Sequence, residues 1–292
     1  MLPLYSASRV AIGCTKFSEL QIYRAFWILK PTFFTRLAER EPFTMTYVLS
    51  DIHGNRKAFD SILKQIDLQS DDDLYILGDV IDRHPEGVRL LKQIMAMPNA
   101  HMLLGNHEYM MLRALGFPYD GPEDIMGEDP VKLRKLWYHN GGEVTHKAWK
   151  RLPEKIQLKI VDYLRNLPLN YELTVGGELF TLVHAAPEEL YELAGKPEES
   201  KTSFCVWDRE AIQYLDTLEA VTVIFGHTPT AHFQEARPLE IFRRGKLIGI
   251  DCGAGWSEGC GGRLACIRLD DMKMFYSHNS RGRFKIQIRV KL

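Results

Sequence analysis

The chain has 292 residues, 45% hydrophobic and 26% charged, with a formal net charge of −1. That length allows one large domain or two and a large buried core. The near-zero charge argues against a general polyanion binder, so no nucleic-acid partner is expected. No apolar run approaches the ~20 residues that span a bilayer. No membrane partner is therefore expected, and the location is read as cytoplasmic with reduced thiols. The five cysteines include Cys252, Cys260 and Cys266, which lack CxxC spacing, so a three-cysteine zinc site ranks below simple thiols.

Residues 1–44 carry six Lys or Arg against three Glu and no chemical motif. They are read as a loosely attached N-terminal extension or, alternatively, as an extra helix over roughly 19–29 packed on the domain surface, with the functional domain over 45–292. From there the chain alternates between apolar runs and polar turns. Tyr47-Val48-Leu49 runs into Asp51-Ile52-His53-Gly54-Asn55. Leu74-Tyr75-Ile76-Leu77 runs into Gly78-Asp79-Val80-Ile81-Asp82-Arg83, and Met102-Leu103-Leu104 into Gly105-Asn106-His107-Glu108. Short, continuous apolar runs read as strands buried on both faces. Period-3.6 stripes after each turn, such as Ala58-Phe59-Ile62-Leu63-Ile66, read as helices. Asp51 to Asp79 is 28 residues and Asp79 to Asn106 is 27, spacings that suit successive strand–helix–strand units.

Residues 117–150 are read as a helical insertion over the site, where substrate is selected. Trp137, Tyr138 and Trp149 also lie there, while His139 and His146 read as surface or packing histidines. A helix is expected over 153–165. From about residue 169 the pattern is strand-like: a hairpin over 171–183 turning at Gly176-Gly177, a polar loop over 188–200, and buried strands over 221–225 and 247–251. The glycine-rich stretch 253–262 has no following helix and reads as a turn between strands rather than a phosphate cradle.

In an open parallel sheet, ligands sit beyond the carboxyl ends of the strands. Asp51, His53, Asp79, Asn106 and His107 should therefore converge on one edge. Oxygen and imidazole donors meeting there describe a site for two metal ions with Asp79 shared. His184 and His227 each end a strong strand, and they extend the donor set to six: Asp51, His53, Asp79, Asn106, His184 and His227.

These motifs, in this order, resemble the calcineurin-like metallophosphoesterases, specifically the bacterial and phage type of the phosphoprotein phosphatase branch. That family carries GDxHG, GDxVDRG, GNHE, a lone His and GHT. The resemblance covers residues 46 to about 270. It implies an α/β fold, a four-layer sandwich of two mixed β-sheets flanked by helices. It further implies two divalent or trivalent metal ions, Mn, Fe or Zn. Asp51 and His53 would hold one, Asn106, His184 and His227 the other, with Asp79 between them. His107 would be the general acid, oriented by Asp82. Arg83, Arg209 (from Trp207-Asp208-Arg209, similar to the W-x-R element of the family) and Asn106 would bind the substrate phosphate. Direct attack by a metal-bridging hydroxide fits these roles. The expected activity is a phosphoserine/phosphothreonine protein phosphatase acting on a phosphoprotein or small phosphorylated substrate, without an obligate regulatory subunit. The alternative is a symmetrical bis(5′-nucleosyl)-tetraphosphatase, for which Trp137, Tyr138 and Trp149 would form a nucleobase wall or else be core, and a non-catalytic phosphoprotein-binding scaffold ranks third. One departure concerns His84-Pro85, which stands where the family has glycine, so the turn at Arg83 must do without glycine's freedom.

Overall fold

Strand β1 (Thr46–Leu49) shows why the apolar runs are continuous. In the computed structural model, which describes residues 44–195, 200–210, 220–257 and 259–278, its side chains alternate between two cores. Tyr47 and Leu49 pack with Phe59, Ile62, Leu90 and Leu91 on the helical side. Val48 packs with Tyr75, Leu77, Leu103, Phe180, Leu182, Ile224 and Ile248, between two sheets. A period-two element needs apolar residues at every position when both faces are covered.

The first sheet has the order β10-β9-β1-β2-β3. β1, β2 (Asp73–Ile76) and β3 (Ala100–Met102) run parallel, while β9 (Ala265–Arg268) and β10 (Lys273–Tyr276) add antiparallel strands at one edge. Helices α1 (Arg56–Ile66), α2 (Gly87–Ile94) and α3 (Asn106–Ala114) follow its three parallel strands. The second sheet has the order β4-β5-β6-β8-β7, built from β4 (Asn170–Val175), β5 (Glu178–Val183), β6 (Thr222–Phe225), β7 (Phe242–Arg244) and β8 (Leu247–Gly249). β5, β6 and β8 run parallel and the edge strands antiparallel. The β4–β5 hairpin turns at Gly176 and Gly177, with φ of 59° and 84°. Two successive left-handed residues fit a type I′ turn and explain why both are glycine. Two mixed sheets flanked by helices are the fold that the motifs implied.

Between the sheets in sequence lie α4 (Pro130–His139), α5 (Glu143–Trp149) and α6 (Glu154–Arg165). The polar stretch 188–200, expected as a loop, instead holds a 3-10 turn at Glu188–Leu190 and a short helix, α7 (Tyr191–Ala194). Helix α8 (Lys201–Trp207) was also not foreseen; it is capped by Ser200, whose side chain accepts from Ser203 N. Seven residues are too few to display a helical period. The expected N-terminal extension lies outside the described residues except for Thr44. The glycines at 253–262 serve close packing: a Cβ on Gly255 would stand 2.3 Å from the His53 ring, and one on Gly262 1.7 Å from the Gly253 carbonyl oxygen. Among the described residues, no helix is long and apolar enough to cross a membrane.

Candidate active site

The carboxyl ends of β1, β2 and β3 from one sheet and of β5 and β6 from the other lead into the loops that carry the polar residues. Their backbones zip together: Asp51 N donates to Gly78 O at 3.2 Å, His53 N to Asp79 O at 2.9 Å and Gly54 N to Val80 O at 2.7 Å. Gly226 N donates to His184 O at 2.9 Å, joining the two loops of the second sheet. Eight described non-glycine residues have positive φ, and six of them lie here: Asp51, His53, Asp79, Asp82, Arg83 and His227. Left-handed backbone is costly for such residues and persists where surrounding structure enforces it, typically at functional sites. His84 is not among them, so the family glycine at that position is dispensable: the left-handed turn falls on Asp82 and Arg83 instead.

The six expected metal donors come together, all buried. His53 Nε2 lies 3.8 Å from Asp51 Oδ1 and 3.7 Å from Asp79 Oδ2. His184 Nε2 lies 3.6 Å from Asp79 Oδ1 and 3.0 Å from Asn106 Oδ1. His227 Nδ1 faces the same Asn106 oxygen at 2.9 Å. Ligand-atom spacing alone groups His53, Asp79 and His107, and separately Asp79, His184 and His227. We favour Asp51 over His107 in the first group. His107 Nε2 is 3.2 Å from the Arg83 guanidinium, and a ring nitrogen facing a fixed cation is a poor place for a second one.

These residues fit a pair of cations. His53 Nδ1 faces Ile81 O at 3.1 Å, while its Nε2 is buried without a hydrogen-bond partner and points between two carboxylates. His184 Nδ1 is bonded to Leu77 O at 2.6 Å, which leaves its Nε2 lone pair directed inward. Charges tell the same story. Burial, then the neighbouring Asp79 charge, pushes the Asp51 carboxyl up to about 7. Burial holds His53 and His227 well below the ordinary histidine value and lowers His184 too. Crowded carboxylates beside neutral imidazoles are what a cation resolves.

The expected acid sits beside them. Asp82 Oδ2 is 2.7 Å from His107 Nδ1, and Asp82 is fully buried. Burial acts to lower the His107 pKa, but Asp79 and the Asp82 hydrogen bond outweigh it, and the net shift is upward. Arg83 does not pair with Asp82; its Nη2 faces His107 Nε2. Arg209 Nε lies 3.1 Å from His227 Nε2, beside the second donor group. Both arginines are exposed, as groups that meet an incoming anion must be.

Several residues of the site escaped the sequence reading. Glu108 is fully buried and accepts from three backbone N–H groups, Asp79 at 2.9 Å, Val80 at 2.9 Å and Ile81 at 3.2 Å. It holds the Asp79 loop in shape, and its place after Asn106-His107 was the only signal. Asp251 is buried near Asp51, accepts from Gly253 N at 2.9 Å, and is pushed up to about 8 by burial and the Asp51 charge. Trp137, read as a nucleobase wall or core, is fully buried, and its indole N–H donates to Asp82 Oδ2 at 2.8 Å. Trp149 is core as well, whereas Tyr138 is 36% exposed. His146 is buried with Nδ1 2.6 Å from the Tyr138 hydroxyl, a packing role as expected. Cys252 and Cys266 are buried and Cys260 is exposed; none joins a group of metal-donor residues among the described residues.

Two sheets delivering buried carboxylates, an amide and three imidazoles to one rim, beside a His–Asp pair and two arginines, define a metallophosphoesterase-type centre. The pattern of the calcineurin-like phosphoesterase family matches residues 45–231, and the chain belongs to that family, which uses a dinuclear metal site. Among curated proteins, it is similar to the symmetrical bis(5′-nucleosyl)-tetraphosphatase of Delftia acidovorans, 41% identical over 161 residues, covering 51% of this chain and 49% of that one. The Coxiella burnetii protein of the same name is 28% identical over 142 residues, covering 48% and 41%. The chain thus spans about half the length of the curated relatives it matches. Among solved structures, one described as a candidate diadenosine tetraphosphatase superposes with a TM-score of 0.52 at 15% identity, covering 82% of this chain and 95% of that one, a likeness of fold.

Proposed function

We propose that the protein hydrolyses the phosphoanhydride of dinucleoside polyphosphates, cutting bis(5′-nucleosyl) tetraphosphates at the centre. The observation that carries the reading is the buried, partnerless His53 Nε2 between two carboxylates, beside the His107–Asp82 pair. It supports phosphoester hydrolysis. Similarity to proteins named symmetrical tetraphosphatases then favours the nucleotide class over the phosphoserine substrate that the motifs first suggest.

In this reading Asp51 and His53 would hold one cation and Asn106, His184 and His227 a second, with Asp79 available to both. When bound, the pair supplies Lewis-acid chemistry, acidifying water and neutralising phosphoryl charge. Manganese is the metal to supply first. Arg83 and Arg209 bind the phosphoryl oxygens, using the planar fork that suits phosphate. With Arg83 drawn from His107 Nε2 to the phosphoryl oxygens, His107 is free to carry a proton there and give it to the leaving oxygen, while Asp82 fixes the ring through Nδ1.

The test compares turnover of diadenosine tetraphosphate, a phosphoserine peptide and p-nitrophenyl phosphate with added Mn. Dinucleotide turnover well above peptide turnover, yielding two molecules of ADP, is the expected result. Peptide turnover well above dinucleotide turnover would overturn the nucleotide reading and restore the protein phosphatase. Absence of turnover on all three, with metal bound, would mean that the substrate class is wrong, whereas absence of bound metal with no turnover after adding Mn would restore the phosphoprotein-binding scaffold.

A further inference from the structure

Three contacts to the Asp82–Arg83 turn come from one short stretch of the 117–150 segment. Trp137 Nε1 donates to Asp82 Oδ2 at 2.8 Å, Asp82 N donates to Thr145 Oγ1 at 3.0 Å, and Arg83 N donates to Gly141 O at 3.1 Å. The turn itself is strained, with φ of 71° at Asp82 and 63° at Arg83. Two successive left-handed non-glycine residues need an outside clamp. The stretch is rigid enough to be one. Gly142 N donates back to Trp137 O at 2.9 Å, and a Cβ on Gly142 would stand 2.3 Å from the indole ring.

The carboxylate's geometry makes the indole contact more than packing. Asp82 Oδ2 takes both donors, His107 Nδ1 and Trp137 Nε1, while Oδ1 is buried without a partner. Two donors on one oxygen fix where the carboxylate points. An indole N–H donates only, so it cannot compete with Asp82 for the His107 proton. Removing it leaves the buried carboxylate with a single ring to hold it.

We propose that Trp137, supported by Thr145 and the Gly141 carbonyl, is the positioning residue of the His107–Asp82 pair: its N–H holds the Asp82 carboxylate in the orientation that keeps His107 Nε2 directed toward the substrate. The proposal rests on the acid role of His107 given above, and is independent of whether the substrate is a nucleotide or a phosphoprotein.

A double-mutant cycle on kcat tests it, with phenyl phosphate, whose basic leaving oxygen needs a proton, and Mn, using Trp137→Phe, Asp82→Asn and the pair. Trp137→Phe keeps the ring and removes the donor. The expected loss in kcat is roughly ten- to a hundredfold, the range for partners of buried functional groups, with KM little changed. In the Asp82→Asn background the same change should cost less than about threefold, because coupled residues are non-additive. An equal fold-loss in both backgrounds, or a rise in KM alone, would make Trp137 a structural residue and overturn the proposal. An Asp82→Asn protein with undiminished kcat would sink the acid pair itself. Should Trp137→Phe fail to fold, or phenyl phosphate not turn over, the assigned indole N–H resonance of Trp137 is compared between wild type and Asp82→Asn. A slowly exchanging proton that shifts on losing the carboxylate supports the contact; an unmoved one refutes it.

Discussion

The cation-facing half of the site and the acid-facing half are held by different means. Asp51, His53, Asp79, His184 and His227 sit on or just beyond strand ends, and their loops are bonded to one another or to buried neighbours such as Glu108 and Leu77. The sandwich holds them directly. Asp82 and Arg83 lie further along the β2 loop, where the sheet no longer reaches, and they lean on Trp137, Gly141 and Thr145 from a different part of the chain. The expected metal donors are thus held by the two sheets, and the expected acid pair by contacts from the 137–145 stretch. Substitutions in the two halves should therefore fail differently. Core changes should remove metal, and clamp changes should slow proton transfer while metal stays bound.

The largest effect is expected from Asp79→Asn. Losing the shared carboxylate removes charge from both cation positions. Bound metal measured by mass spectrometry should fall, and kcat should drop roughly a thousandfold, the scale of several kcal/mol of lost charge stabilisation. Full metal content with near-native turnover would refute the shared-ligand assignment. Trp137→Phe, in contrast, should retain its metal, and a loss of metal there would erase the distinction between the halves.

A middling effect concerns stability of the metal-free protein. Asp51 is pushed up to about 7, Glu108 to about 8 and Asp251 to about 8, each chiefly by burial and then by a neighbouring carboxylate. Between the ordinary values of 3.8 or 4.5 and these raised ones, the folded chain holds protons that the unfolded chain has released. His53, His184 and His227, lowered from 6.5, act the other way until the unfolded histidines have lost their protons, so the net fall in stability with rising pH is expected from about pH 6.5 to about pH 8. Bound Mn should flatten the slope, because the cations favour the charged carboxylates. Melting temperatures at both ends of the window, with chelator and with Mn, check this. A metal-free protein that grows more stable toward pH 8 would mean that other groups dominate.

The two halves also differed in how far the sequence revealed them. All six expected metal donors converge, because each directly follows a buried strand and a parallel sheet sends such loops to one edge. His107 converges for the same reason, whereas Asp82 was singled out only through the family resemblance. Trp137 was not, since its partner Asp82 lies 55 residues away and a tryptophan among helical residues looks like core whatever its N–H does. Glu108 stood in plain view after Asn106-His107, yet a buried acid bonded only to backbone N–H groups leaves no pattern of its own. The short helices α7 and α8 fall below the length at which periodicity speaks.

The smallest effect is expected where the sequence departs from its family. His84→Gly restores the family residue, but the left-handed backbone already falls on Asp82 and Arg83 and is held by the 137–145 stretch. The catalytic turn should therefore gain nothing from the glycine, and kcat should stay within about twofold. Stability balances two small terms: glycine adds unfolded-chain entropy worth about 0.5–1 kcal/mol. The His84 side chain also has a buried Nε2 without a partner, so its removal relieves a cost. A change in melting temperature of a few degrees in either direction is compatible with that balance. A kcat rise of tenfold or more is not, because it would mean that His84 holds Arg83 out of place and that the clamp alone does not set the acid-facing half.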